Sequence, residues 1–318
     1  MKDTSIKING QSVKLTHLDK VFWPARLGYA KGVSGRPNEK ITKGDLVNYY
    51  RNVAKYILPY LKDRPESMNR HPNGIAGPSF FQKDVADQSP DWVKTKKIYS
   101  ESNKANINYL ICENEATLVY MANLGCIEIN PWNSRIGRLE NPDFLVIDLD
   151  PEKISFERVV EVARAVHKLL DSIHVPNYCK TSGATGLHIY VPLGAKYDYD
   201  QAKEFAHLVA VIIHQQLPDI TSVERMPKKR QKKVYLDFLQ NRKGQTLAAP
   251  YSVRPKPGAT ISTPLEWREV RKGLDPKQFT IRTIFPRLKK KGDLWKPVLK
   301  KSANLKQALS ELKRSMQK

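Results

Sequence analysis

The stretch Phe144-Leu145-Val146-Ile147-Asp148-Leu149-Asp150-Pro151 decides how this chain folds. Four consecutive apolar residues suit a central strand buried on both faces, and the run ends in two acids separated by one leucine. Side chains two apart on a strand share a face, so Asp148 and Asp150 converge at its end while Leu149 turns away. Carboxylates that close repel one another unless a cation neutralises them, and oxygen ligands suit Mg²⁺ or Mn²⁺. A third acid, Asp237, sits in Val234-Tyr235-Leu236-Asp237-Phe238-Leu239, a single charge among apolar neighbours. That placement is costly unless the charge is paired or metal-bound. Three such carboxylates can hold two divalent ions about 3.5–4 Å apart, which activates a hydroxyl and stabilises a leaving pyrophosphate. The competing reading of the Asp-Leu-Asp pair is a helix cap or a salt-bridged strand edge.

Outward from this strand, Ser155 opens a helix with Phe156, Val159, Val160, Ala163, Val166, Leu170 and Ile173 on one face. Leu187 to Leu193 and Val234 to Leu239 read as strands, and Gln201 to Gln216 as a second amphipathic helix. Strands interleaved with two helices indicate an α+β architecture, with the helix pair on one sheet face and the other face left for a ligand. In the first half, Thr42 and Asp45 mark a helix start and Leu46, Tyr49, Tyr50, Val53 and Ile57 repeat at helical spacing until Pro59. Asn106–Cys112, Glu113–Leu124 and Cys126–Ile129 read as strand, helix and strand, while Pro24 to Lys40 reads as a surface loop. The expected division is 1–140, 141–290 and a basic tail, 291–318, the first two forming one compact unit.

The chain carries 54 lysines and arginines against 32 acids, a net charge of +22. Such a field gathers polyanions, with nucleic acid the first candidate partner. Cys112, Cys126 and Cys179 are widely spaced with no CxxC, which argues against a disulfide framework or zinc site and for a reducing compartment, the cytoplasm by default. No run of about 18 apolar residues offers a membrane span.

Three further constellations carry chemistry. Lys180-Thr181-Ser182-Gly183-Ala184-Thr185-Gly186-Leu187-His188 combines two glycines with Ser182, Thr185 and His188 as donors, which fits either a cradle for phosphate oxygens that is not a Walker A loop or a hairpin turn with a packed histidine. The segment Thr246 to Trp267 holds Arg254 among stiffening prolines, placed to clamp a phosphate; Arg230 and Gln240 flank Asp237. The run Arg225 to Lys233 fits either a nucleic-acid backbone or a solvated hairpin tip. In the first half, Phe80 and Phe81 fit either base stacking, with Lys83 on a phosphate, or a core.

Taken in series, LTHLDKVFWP from Leu15, ITKGDLVNYY, FFQKD, PDWV, ANLGCIEINPW, PDFLVIDLDP, KTSGATGLHIYVPL, YLDFLQN and APYSVRPKPGATISTPLEW to Trp267 resemble the polymerase domain of bacterial ligase D. That family is a branch of the archaeo-eukaryotic primase superfamily used in non-homologous end joining. The resemblance implies a primase-polymerase fold, with an RRM-like catalytic sheet and an N-terminal α/β subdomain, and the polymerase portion without ligase and nuclease regions. It implies metal-binding acids at Asp148, Asp150 and Asp237, and Ser182, His188, Arg230, Gln240 and Arg254 near the incoming nucleotide's phosphates. Lys20 and Lys43 match positions that hold the 5′-phosphate at a break, with His17 beside them, and Phe80 and Phe81 match residues that meet the template. It further implies NTP or dNTP as substrate, with ribonucleotides preferred, Mn²⁺ or Mg²⁺ as cofactor, and Ku and a DNA ligase as partners. Two positions depart from the family pattern: Thr185 stands where many members carry lysine, so that phosphate contact is either weaker or supplied by Lys180, and His17 stands where relatives often place asparagine. The insertion Arg26 to Lys40 is unusual and bears on how a DNA end is gripped. A primer-independent primase and a non-catalytic DNA-end scaffold are the competing functions, and the intact acid set argues against the scaffold. A nuclease could also use paired metals, but the Lys180–His188 loop and Arg254 favour a triphosphate.

Overall fold

A computed structural model describes residues 3–25, 39–86, 89–101, 103–230 and 232–316. The insertion Arg26 to Lys40 therefore lies outside the described residues but for its last two. The chain begins with β1 (Thr4–Ile8), β2 (Gln11–Leu15), β3 (Val21–Trp23), β4 (Ile41–Thr42) and α1 (Lys43–Leu61). It continues through β5 (Glu66–Arg70), β6 (Phe80–Gln82), β7 (Thr95–Ser100), β8 (Ala105–Leu110), α2 (Glu115–Asn123) and β9 (Cys126–Pro131). Then follow β10 (Phe144–Pro151), α3 (Phe156–Ser172), β11 (Tyr178–Thr181), β12 (Leu187–Pro192), α4 (Tyr199–Gln216), β13 (Thr221–Ser222) and β14 (Val234–Asp237). The last elements are β15 (Pro264–Leu265), α5 (Ile284–Lys291) and α6 (Leu305–Met316).

Two compact units are interleaved along the chain, where the sequence suggested consecutive segments. The first gathers Met1–Gly137, Thr246–Ser262 and Lys277–Gly292; the second gathers Arg138–Gln245, Thr263–Pro276 and Asp293–Lys318. Residues 293–316 are more than a tail, because Trp295, Val298, Ala303, Leu305, Ala308 and Leu312 are all buried.

Within the first unit, α1 starts at a reciprocal Thr42–Asp45 capping box and runs past Pro59 to Leu61, burying Leu46, Tyr50, Val53 and Ile57. It leans on a three-stranded antiparallel sheet, β6-β5-β9, through α1's contacts with β9. Strand β5 is unusual in burying polar residues: Glu66, Ser67 and Asn69 are all inaccessible, and burial pushes the Glu66 carboxyl well above its ordinary value.

In the second unit, six strands pair in the order β13-β14-β10-β12-β11-β15, antiparallel except for β13 beside β14. The apolar run of β10 takes the centre, with Leu145, Ile147 and Leu149 wholly buried. Helices α3 and α4 pack on β10 and on each other. Ser155 stands at the N-cap of α3 without a side-chain bond, while Asp198 and Gln201 form a capping box that starts α4 two residues before the expected Gln201. The α+β fold that the sequence indicates is the fold observed.

Candidate active site

Register builds the site. On β14, Asp237 lies directly opposite Asp148 of β10; on Asp148's other side stands His188 of β12, itself opposite Lys180 of β11. Directly opposed residues of antiparallel strands point to the same face. Asp237, Asp148, His188 and Lys180 thus form one row across four strands, and Asp150 faces Tyr235 one step along.

Each member of the row has a defined partner. Lys180 is wholly buried, and its Nζ lies 2.8 Å from His188 Nδ1. An ammonium only donates, so Nδ1 accepts and the imidazole proton sits on Nε2. That nitrogen is 3.4 Å from Asp148 Oδ1. Asp237 is held by three donors: the Leu239 amide at 2.8 Å and the Tyr235 hydroxyl at 3.3 Å reach Oδ1, and Gln240 Nε2 reaches Oδ2 at 3.2 Å. Arg230 donates to the carbonyls of Glu224 and Arg225, lays its guanidinium 3.7 Å over the Tyr235 ring, and brings Nη1 to 3.5 Å from Asp150 Oδ2. Burial raises the Asp150 carboxyl, with Arg230 pulling it back and Asp237 pushing it further up, though half the side chain still meets solvent. Burial and then Asp237 push the Tyr235 phenol up to about 12, so it stays a neutral donor.

The turn between β11 and β12 is closed from within. Ser182 Oγ accepts from the amides of Ala184 at 3.1 Å and Gly186 at 3.0 Å, and Gly183 takes a φ of +74° that glycine adopts without strain. Thr185 is exposed at its tip. Gly186 has a different reason to be glycine: a Cβ there would lie 2.1 Å from the Leu149 carbonyl oxygen, between the two acids of β10.

Among the described residues no three His, Cys, Asp or Glu groups close on one point as an ion's ligands. The acids are turned instead to His188, Arg230 and the donors around Asp237. Three carboxylates sharing one face in adjacent register nonetheless fit hard divalent cations, which take oxygen ligands alone.

The remaining expected residues lie in the first unit. Arg254 Nε is 3.1 Å from Oε2 of the buried Glu128. Lys43, buried at the first turn of α1, donates from Nζ to the Thr16 carbonyl at 2.6 Å and hydroxyl at 3.1 Å, and burial, then Lys20, pushes its ammonium down to about 8. Lys20 donates to Asn73, and His17 adopts a φ of +52°. Phe80 and Phe81, 47% and 60% exposed on the edge strand β6, are not core, and Arg70 lies 5.3 Å over the Phe80 ring. Lys83 is exposed beside them.

Residues 42–295 match the primase-polymerase domain of LigD. The chain belongs to that family. It is 36% identical over 283 residues to the bifunctional non-homologous end joining protein LigD of Bacillus subtilis, covering 88% of this chain and 43% of that protein. Against the multifunctional LigD of Mycolicibacterium smegmatis it is 30% identical over 293 residues, 91% of this chain and 36% of the relative. The chain thus spans less than half the length of these curated relatives. The polymerase domain of Mycobacterium tuberculosis ligase D, solved in complex with DNA, superposes with a TM-score of 0.78 at 30% identity, covering 92% of this chain and 99% of that one. The LigD primase-polymerase domains are DNA-directed nucleotidyltransferases of primase-polymerase fold.

Sequence reasoning missed two residues that hold candidate side chains of this LigD-family chain in place, one in each unit. Asn241 receives the Val146 amide on Oδ1 and donates from Nδ2 to the Val146 carbonyl, both at 2.7 Å, which continues the ladder beside β10 where β14 ends at Asp237. Its place four residues after Asp237 was the available signal. Tyr50 donates to the Ile127 carbonyl at 2.6 Å and accepts from the Val253 amide at 3.1 Å, tying the neighbours of Glu128 and Arg254 together. Nothing in helical periodicity separates that tyrosine from ordinary core. His17 takes a left-handed backbone, a region that asparagine tolerates better than most residues.

Proposed function

We propose that this chain adds nucleotides to the 3′ ends of DNA at gaps and double-strand breaks, using two divalent ions held by Asp148, Asp150 and Asp237. The observation that carries it is the register setting Asp237, Asp148 and His188 side by side on one sheet face. When bound, Mg²⁺ or Mn²⁺ neutralises the triphosphate and lowers the pKa of the attacking hydroxyl. Asp237, fixed by three donors, is the rigid member of the set; Asp150 is the open one. His188 presents an Nε2–H and Arg230 a planar fork, both of which suit phosphate oxygens as well as the carboxylates they now meet. Lys180, buried behind His188, acts by holding that tautomer, and Gln240 acts by orienting Asp237. Positioning and charge neutralisation supply the catalysis.

Following the LigD relatives, the reading places the chain in end joining with Ku and a DNA ligase, in the cytoplasm. No described helix is long and apolar enough to cross a membrane. The decisive experiment is extension of a gapped, 5′-phosphorylated duplex with each NTP and dNTP, in Mg²⁺ and Mn²⁺ separately. Cation-dependent addition is expected; no addition under any combination ends the reading. The same assay without a primer distinguishes a primase.

In the first unit, Lys20 and Lys43 are proposed to hold the 5′-phosphate, with Phe80 and Phe81 against template bases. Lys43 gives this a pH signature. Its depressed value means that it is charged below about pH 8 and loses its proton above. Preference for 5′-phosphate over 5′-hydroxyl ends should therefore be greatest near pH 7 and decline through pH 8 to 9.5, by up to about tenfold per unit, the full effect of one proton. Lys43→Arg should flatten the decline. A wild-type preference independent of pH across that window refutes the assignment.

A further inference from the structure

Between residues 293 and 318 the chain carries six lysines and one arginine against two acids, Asp293 and Glu311. The family match ends at residue 295, so almost all of this charge lies beyond it. The segment is nailed down. Trp295 packs against Tyr190 at 4.8 Å between ring centroids and donates to the Cys179 carbonyl. Ser302 donates to the Leu193 carbonyl, the Ala303 amide to the Pro192 carbonyl and the Leu305 amide to the Tyr197 hydroxyl. Helix α6 then buries Leu305, Ala308 and Leu312, spaced as one helical stripe.

Anchoring this face turns the cations outward: Lys296, Lys300, Lys301, Lys306, Lys313 and Arg314 are all exposed. Lys306 and Lys313, seven residues apart, share a side of α6. Some lysines elsewhere have acidic partners, as Lys94 has Asp63 and Glu113, Lys203 has Asp200 and Lys243 has Glu140. None of the six has a carboxylate within salt-bridge distance among the described residues. Like charges held together by a buried anchor repel one another, a cost that a polyanion would remove.

We propose that residues 296–314 form a docking strap for the phosphate backbone of duplex DNA, an extension of the footprint beyond the catalytic row. The proposal rests on the DNA-directed reading above. Two observations select the occupant. The strap shows no exposed aromatic side chain, Trp295 being buried, so it lacks the stacking platform by which single strands are held. It also begins beside the site: Tyr190, on which Trp295 packs, stands two residues along β12 from His188 and on the same sheet face. Duplex bound at the row therefore lies next to the strap within the same unit. Contacts of this kind read charge and not sequence.

The test is the salt dependence of affinity of the full chain for a gapped duplex, with wild type compared to a combined Lys300→Gln, Lys301→Gln, Lys306→Gln, Lys313→Gln variant. Each lost phosphate contact lowers the slope of log K against log salt by about 0.9, so the variant's slope should be shallower by up to about 3.6 and its affinity near 50 mM salt more than tenfold weaker. Nucleotide addition at saturating DNA should keep its kcat, and Lys203→Gln, which removes a paired lysine, should leave the slope unchanged. A variant with the wild-type slope overturns the inference and leaves the strap to an acidic protein surface. A wild type whose affinity ignores salt sinks the DNA reading together with the strap, so the two failures are told apart.

Discussion

Asp237→Ala is expected to lower nucleotide addition by about 10³-fold or more while the protein still folds and still binds a DNA end. The size follows from the several kcal/mol that ion-held charge neutralisation contributes to a transition state, at about 1.4 kcal/mol per decade of rate. Stability should move little, because two effects oppose. Removing the carboxylate leaves the Leu239 amide and Gln240 without their acceptor, yet it also removes an acid facing Asp148 across the ladder and close enough to raise Asp150. Single-turnover extension in Mn²⁺, DNA binding by fluorescence anisotropy and a thermal melt on one preparation check all three statements. Activity within tenfold of wild type would remove Asp237 from the metal set. Loss of DNA binding in step with activity would mean that the residue acts through the end-gripping surface instead.

The parts of the site legible in the sequence are those that one strand or one turn determines. Asp148 and Asp150 are read from the apolar run before them, and Asp237 from being a lone charge in an apolar strand. What depends on pairing between distant strands was hidden. Lys180 reads as a phosphate contact because a lysine before a glycine turn usually faces solvent; only the β11–β12 register, which sets it opposite His188, turns it inward. Gln240 likewise reads as a nucleotide contact and is found on Asp237. Strand β5 escaped notice because Glu-Ser-Met-Asn-Arg has no apolar alternation, its burial being imposed by β6 and β9 on either side. At the C-terminus Ala303 to Met316 is legible as a short helix but its docking is not, since abundant lysine masks a stripe of Leu305, Ala308 and Leu312. The interleaving of the two units follows from returns of the chain that no local pattern announces.

Gly186→Ala tests whether the glycine-rich turn serves the phosphate or the strand. The sequence suggests that its glycines let the backbone approach a ligand, and Gly183, with its positive φ, fits a turn built for that purpose. Gly186 meets protein instead. A methyl group 2.1 Å from the Leu149 oxygen cannot be accommodated by rotating a side chain, because the obstacle is backbone. Either β10 or the turn must shift, and overpacking of this kind costs about 3 kcal/mol at the upper end of its usual range. For a unit of this size that corresponds to a fall of roughly 10 °C in melting temperature. Leu149 lies between Asp148 and Asp150, so a shift of even part of an ångström displaces both acids from Asp237. The expected result is a lowered melt together with a kcat reduced by about 10²-fold, with KM for the nucleotide changing less. A variant that melts with the wild type and shows only a raised KM would reverse the assignment: the turn would then be shaped for the triphosphate, and the close approach to Leu149 would be relieved without cost to the strand that carries the acids.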